Sequence, residues 1–275
     1  MDRLFVANKP INISSNRYLG KIKRKYGVKK AGFSGTLDPF ACGSLIVAFG
    51  KYTQLFRYLK KTPKSYRATI WLGANSDSLD NENVTIVEQN PKMLNENSIK
   101  EQLKNLVGEL KYLPPKYSAK QIGGKRAYDL ARANKEFKLN QITSFVYDVK
   151  FINYNHPFIS FEIKVSEGSY IRSIAQILLK KLKVIGTLSY LERLCEGKFK
   201  FNNEIALNPL EYLDIKKNNY SGSKKWVELG KKLSIDYFEN KDDGKYLIVF
   251  DDFFSIIEIK DLKVIYLLNK VVLNG

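Results

Sequence analysis

Two stretches of alternating apolar residues, far apart in the chain, constrain the fold more than any other feature. From Tyr66 to Leu72, and again from Phe158 to Val165, every second side chain is apolar, a period that is typical of strands with one buried face. Residues 171–182 instead repeat apolar side chains at helical spacing. Because strands and helices are mixed without a regular βαβ alternation, we predict an α+β fold with a mixed, largely antiparallel central sheet flanked by helices.

Shorter patterns give a coarse map of the rest of the chain. Strands are predicted at 4–7, 44–49 and 145–152, and helices at 17–25, 98–107 and 127–133. The stretch NNYSGS at 218–223 is typical of a linker, and three short apolar stretches follow it. We therefore predict one domain at 1–220 and a small β module at 221–275, which leans on its neighbour.

The charge of the chain is large and unevenly distributed. The sequence contains 46 basic and 28 acidic residues, of which 7 and 9 lie from Trp226 onward. The positive excess therefore belongs entirely to residues 1–225, and it favours a polyanionic partner, nucleic acid first and an anionic membrane second. A lysine-rich compositional bias is the alternative explanation of the same excess.

The sequence lacks the residues that several classes of function require. The two cysteines and one histidine form no metal-ligand spacing, and neither a GxGxxG nor a P-loop motif is present. We therefore expect no cofactor and no metal, and chemistry carried by carboxylates, Tyr, Lys and Arg. No signal peptide or membrane-spanning apolar stretch is evident, so a soluble, cytoplasmic protein is expected.

The loop GFSGTLDPFACG at 32–43 places a single acid, Asp38, among three glycines. Glycine permits backbone conformations that other residues avoid, and Pro39 biases Asp38 toward extended geometry. The carboxylate is thus held on a constrained turn between a basic helix and an apolar strand. On local physics alone, a turn acid without chemistry is the more favoured interpretation.

The motifs around this loop resemble those of one known family. GTLDPFACG is similar to the GTLDPxATG loop of the bacterial tRNA pseudouridine-55 synthases. Further matching stretches follow in the family's order: KPINISS from Lys9, KSYRA from Lys64, SDSLD from Ser76, PPKYSA from Pro114, GSYIRS from Gly168 and LER from Leu191. The resemblance spans about residues 4–200, and ordered motifs of this kind make a chance match improbable.

The resemblance implies a pseudouridine synthase fold and an isomerase that needs no cofactor. A uridine leaves its loop, its C1′–N1 bond breaks, and the rotated base rejoins through C5. Asp38 would be the nucleophile, attacking the base or the sugar. Arg172 would pair with Asp38 and keep it ionised, and Tyr66 would stack on the uracil and serve in proton removal from C5.

Three further residues map to the substrate side of the family's site. Tyr170 and Leu191 correspond to positions lining the uridine pocket, although Leu191 alone is also typical of plain core. Phe33 stands where the family usually has His, which suggests stacking on RNA instead of a polar contact. Asp80 and Lys9 match the family pattern, but we interpret them as structural or phosphate-side support.

The expected partner is the T stem-loop of tRNA, bound by a monomer with no obligatory protein partner and no membrane. The C-terminal module resembles the family's PUA-like RNA-binding module only loosely, and its acidic excess predicts weak contact with tRNA. Two alternatives remain open: a synthase of the same fold that acts on another RNA, and a non-catalytic tRNA chaperone. A third, a basic structural or membrane-surface protein, lacks an evident basic amphipathic helix of sufficient hydrophobicity.

Overall fold

The computed structural model describes residues 1–118, 120–133 and 135–273. In chain order, the strands of these residues are β1 (Arg3–Lys9), β2 (Ala31–Ser34), β3 (Cys42–Phe49), β4 (Lys64–Leu72), β5 (Ala74–Ser76), β6 (Val84–Val87), β7 (Gly108–Tyr112), β8 (Gln121–Ile122), β9 (Lys125–Arg126), β10 (Ile142–Asn155), β11 (Phe158–Val165), β12 (Gly186–Glu196), β13 (Phe199–Lys200), β14 (Lys216–Lys217), β15 (Gly244–Val249), β16 (Phe253–Lys260) and β17 (Lys263–Val272). The helices are α1 (Ser15–Lys25), α2 (Glu96–Lys104), α3 (Ala127–Arg132), α4 (Ile171–Leu182) and α5 (Lys224–Glu228), with short 3₁₀ helices at Gly50–Arg57, Pro209–Glu211 and Ile235–Tyr237.

A central sheet organises the first part of the chain. Its strand order is β1-β3-β12-β4-β11-β10-β7, with β2 added to β3 and β13 to β12. Among the described strands of this sheet, β12 and β3 pair in parallel and the other pairs are antiparallel. The predicted α+β class with a mixed, largely antiparallel sheet is confirmed.

The two alternating stretches form neighbouring strands of this sheet. Tyr66, Ala68, Ile70 and Leu72 of β4 are buried, and they pack with the inward residues of β11 against α4. The helix predicted at 171–182 is confirmed with the same bounds. This packing explains both periods, since one sheet face and one helix stripe bury each other.

Strand β12 lies in the middle of the sheet, yet the pattern of the sequence did not predict it. Leu188 and Leu191 both face the core although they are three residues apart. The reason is a register shift between Leu188 and Tyr190, where Ser189 is an extra residue. Such a bulge breaks the period of two on which strand recognition depends.

Strands β1 and β3 are covered on both faces. Phe5 and Ala7 pack toward α1, whereas Leu4 and Val6 belong to a cluster that includes Leu247 and other residues of the C-terminal sheet. That sheet has the order β14-β15-β16-β17. Because it shares a core with β1 and β3, it is fixed to the sheet face opposite α1.

None of the helices in the described residues has both the length and the apolar character of a membrane span.

Candidate active site

The Asp38 loop joins β2 to β3 and meets the first turn of α4. There the Arg172 guanidinium lies 2.9 Å from the Asp38 carboxylate, measured from Nη2 to Oδ2. The side chain of Arg172 is 3% exposed and that of Asp38 is 33% exposed. The cation is therefore buried behind the acid, and the acid faces the open side of the pair.

Arg172 is held in place by three further acceptors. Its Nη1 donates to the carbonyl of Ser78 at 2.6 Å and to the carboxylate of Asp80 at 3.0 Å, while Nη2 donates to the carbonyl of Tyr117 at 2.8 Å. Asp80 is itself buried and accepts from the Ser78 hydroxyl and from the Glu82 backbone N–H. A guanidinium whose two terminal nitrogens are both held in this way has a fixed orientation toward Asp38.

These neighbours shift the pKa of Asp38 in opposite directions. Burial has the largest effect and raises the pKa of Asp38 above its ordinary value, and the negative charge of Asp80 adds to the rise. The positive charges of Arg172 and Lys9 act against it. The Arg172 charge therefore opposes the rise in the pKa of Asp38 more than any other neighbour.

Lys9 is fully buried beneath the same loop. Its Nζ donates to the carbonyls of Pro10 at 2.9 Å, Ile13 at 2.7 Å and Pro39 at 3.3 Å, and burial lowers its pKa to about 8. Ser15 holds the other side of Asp38, because its hydroxyl oxygen is 3.0 Å from both the N–H and the carbonyl of Leu37. The residues before and after Asp38 are thus both fixed.

A second buried ion network holds the ends of the loop. Arg193 donates from Nε to the carbonyl of Ser44 at 2.8 Å and from Nη2 to that of Gly35 at 2.9 Å. Glu196 lies 3.0 Å from Arg193 and 2.8 Å from Lys64. Gly35 has φ +71°, and a Cβ there would lie 2.9 Å from a Glu196 carboxylate oxygen, so this position requires glycine.

Three of the predicted site residues share one apolar cluster. Tyr66 and Leu191 belong to the apolar cluster that includes Leu37, next to Asp38, and Tyr170 packs against that cluster. The Tyr66 hydroxyl has no hydrogen-bond partner among the residues that the structure describes. Tyr170 is the residue just before α4, and its backbone N–H donates to the Tyr112 hydroxyl at 3.0 Å.

Phe33 is placed differently from these residues. It lies on β2 opposite Val47, and its half-buried ring packs against the cluster formed by α1 and the neighbouring face of the sheet. The structure therefore groups Asp38, Arg172 and the Tyr66 cluster, and it places Phe33 on the α1 side of the loop.

Comparison with known proteins assigns the chain to a family. A family model described as "TruB family pseudouridylate synthase (N terminal domain)" matches residues 23–171. A curated relative from Sulfurovum sp. (strain NBC37-1), named tRNA pseudouridine synthase B, is 56% identical over 98% of both chains. The chain belongs to the TruB family.

Other TruB relatives agree over the same length. A protein of the same name from a Nitratiruptor species is 55% identical over 98% of both chains, and one from Campylobacter concisus (strain 13826) is 52% identical over 98% of this chain and 99% of its own. The family resemblance predicted from the motifs is confirmed, and with it membership of a family of isomerases.

Solved structures share the fold at low sequence identity. The structure titled "Crystal Structure of a Cbf5-Nop10-Gar1 Complex" matches with a TM-score of 0.63 and 20% identity, covering 99% of this chain and 84% of that one. An H/ACA RNP bound to a substrate RNA containing 2'-deoxyuridine matches with a TM-score of 0.62 and 18% identity, covering 98% and 83%. These two matches support the pseudouridine synthase fold alone.

Asp80 and Arg193 are two polar residues of this TruB site whose contacts were not predicted from the sequence. Both lie in stretches that match family motifs, SDSLD and LER. Their contacts join segments 92 residues apart for Asp80 with Arg172 and 158 residues apart for Arg193 with Gly35. No local pattern encodes such contacts. Within the described residues, no group of three or more His, Cys, Asp or Glu is arranged to hold a metal ion.

Proposed function

We propose that this chain is a tRNA pseudouridine(55) synthase, which isomerises a flipped-out uridine of the T-loop with Asp38 as nucleophile. The observation that carries the proposal is the Asp38–Arg172 ion pair in a TruB-family fold. Leu37, the residue before Asp38, belongs to the same apolar cluster as Tyr66 and Leu191. The relatives' name, tRNA pseudouridine synthase B, supports tRNA as the substrate. In this proposal the protein acts as a monomer on the T stem-loop in the cytoplasm, with residues 1–220 as catalytic domain and 221–275 as a reduced PUA-like module.

The reaction needs a nucleophile and two proton movements. The C1′–N1 bond breaks, the uracil rotates, a bond forms between C5 and C1′, and the C5 proton leaves while N1 ends protonated. Asp38 supplies the electron pair of a transient bond to the base or to C1′. This bond breaks again and returns the free carboxylate when pseudouridine forms. Arg172 keeps that carboxylate ionised and aimed, and the fixed backbone on either side of Asp38 limits its motion.

In this proposal Tyr66 contributes both a ring face and a hydroxyl. The ring belongs to the same apolar cluster as Leu37, the residue before Asp38, and in this proposal the uracil stacks on its face. The hydroxyl is the candidate group for taking the C5 proton, directly or through water.

Substitutions at Tyr66 are expected to separate these two roles. Tyr66→Phe keeps the ring and should lower kcat by about 10²-fold or more with a small change in KM, because proton transfer is worth roughly that much. Tyr66→Leu also removes stacking and should raise KM in addition. Single-turnover and steady-state assays on a T stem-loop measure both quantities. Equal kcat for Tyr66→Phe and the unmodified protein would exclude a role in proton transfer.

The substrate assignment is tested by mapping pseudouridine in cells that lack the protein. We expect loss confined to position 55 of tRNA, and recovery of that site when the purified protein is added to the isolated tRNA. A transcript with cytidine at that position is the matched control and should remain unmodified. Loss confined to rRNA would contradict the tRNA assignment while leaving the synthase chemistry intact.

A further inference from the structure

Helix α1 has two sharply different faces. Ser15 and Ile22 are buried, and Tyr18, Leu19 and Tyr26 pack with Ile22 against the sheet. Arg17, Lys21 and Arg24 follow one another at spacings of four and three residues and are exposed. Helical geometry places these three residues on one line, on the side away from the sheet. We call this line of three residues the basic stripe.

The stripe is not neutralised by the fold. Helix α1 contains no acidic residue, and none of the three stripe side chains makes an ion pair with any part of the chain that the structure describes. Lys25, on another side of the helix, shows the contrast, because it pairs with Glu204 at 2.6 Å. Like charges at this spacing repel one another, so the stripe does not stabilise the fold, and its charge is left for a partner.

The stripe starts beside the active-site loop. The first residue of α1 is Ser15, whose hydroxyl contacts Leu37, the residue before Asp38. Arg17 therefore lies in the helical turn nearest that loop. From Arg17 to Arg24 the stripe extends about 10 Å along the helix axis, comparable to the rise of about three nucleotides in a duplex strand.

We propose that the basic stripe Arg17–Lys21–Arg24 binds backbone phosphates of the tRNA whose uridine is held at Asp38. This inference rests on the proposed function and adds a second contact surface to it. Charge complementarity and continuity with the Asp38 loop identify the occupant as the nucleic acid strand leading away from the site. A membrane is disfavoured, because the apolar face of α1 is already buried against the sheet and has nothing to insert.

The test neutralises the stripe in the full-length protein by the triple change Arg17→Gln, Lys21→Gln and Arg24→Gln. The slope of log affinity for full-length tRNA against log salt concentration should become shallower by about two, since each phosphate contact contributes roughly 0.7 to 0.9. At about 0.15 M salt, KM should rise roughly ten- to hundred-fold. Because no stripe residue contacts Asp38, kcat at saturating tRNA should stay within about two-fold.

The matched control removes the same charge from the C-terminal module by Lys231→Gln, Lys232→Gln and Lys263→Gln. These lysines are exposed, carry no ion pair within the described residues, and belong to the part of the chain that packs on the sheet face opposite α1. The control should keep both the salt slope and KM. A point-substituted control is preferable to truncation, because the module shares its core with β1 and β3.

Two salt-dependence results would overturn the inference: an unchanged slope in the stripe variant, or an equal loss of slope in the control, which would indicate net charge alone. A stripe variant that loses affinity for anionic vesicles while keeping its affinity for tRNA would also refute it. A different result would refute the proposed function itself, because the unmodified protein would then not convert uridine in tRNA at all. Equal thermal midpoints of the two variants and the unmodified protein establish that all are folded.

Discussion

Asp38→Asn is expected to lower uridine conversion by about 10⁴-fold or more at saturating tRNA, because the amide is not a nucleophile at this position. The substitution keeps the size of the side chain, and within the described residues the lost group makes one ion pair, with Arg172. Affinity for tRNA should therefore change little. Release of tritium from C5 of uridine in a single turnover measures the chemical step, and filter binding measures affinity.

The matched control for this change is Asp77→Asn. Asp77 is an exposed acid near the same site and makes no ion pair with another described residue, so its neutralisation should leave turnover nearly unchanged. Uridine conversion that survives Asp38→Asn would disprove the nucleophile assignment. If the unmodified protein binds tRNA tightly but also fails to convert it, the non-catalytic chaperone becomes the better interpretation.

Arg172→Lys is expected to lower kcat by about 10²- to 10³-fold, although the positive charge is kept. A lysine ammonium cannot serve Asp38, Asp80 and the carbonyls of Ser78 and Tyr117 together, whereas the planar guanidinium does. Asp38 then loses both its fixed direction and part of the charge that opposes the rise in its pKa. Weaker opposition raises the pKa of Asp38, so the acid limb of kcat should move to higher pH.

The pH profile of kcat tests this prediction more specifically than the loss of rate. A purely structural role for Arg172 would lower the active fraction of the protein at every pH and leave the position of the acid limb unchanged. The matched control is Arg67→Lys. Arg67 is an exposed residue of β4 that pairs with Glu162 of β11, and we expect its substitution to change neither kcat nor the acid limb of the pH profile appreciably. An Arg172→Lys profile with the limb at its original pH would contradict the proposed electrostatic role.

Some parts of this site could be predicted from the sequence because their signals are local. The alternation from Tyr66 to Leu72 and the apolar repeat over 171–182 reflect one buried face each, and the structure confirms both elements. The Asp38 loop is similarly local, because glycines and Pro39 within a few residues constrain the backbone. The ordered motifs then identified the family, which the relatives confirm.

Other parts depended on contacts between distant segments. Strand β12 was not predicted from the sequence, because bulges shift its inward residues out of the period of two. Asp80 was interpreted as structural or phosphate-side support, because an acidic residue in a turn can have several roles. Only the position of Arg172 in the folded chain shows that Asp80 is its ion-pair partner. The role of Arg193 at both ends of the Asp38 loop likewise exists only after β12 has paired with β3.

Neighbouring residues along the chain were enough to specify the alternating strands, the α4 helix, the uneven charge and the constrained loop around Asp38, because each depends on a few adjacent positions. The folded chain was needed to establish which charges meet. It placed Arg172 between Asp38 and Asp80, and Arg193 between Gly35 and Ser44. It also left the basic stripe on α1 exposed beside the loop, because packing fixes which face of a helix is buried and therefore which charges remain available to a partner.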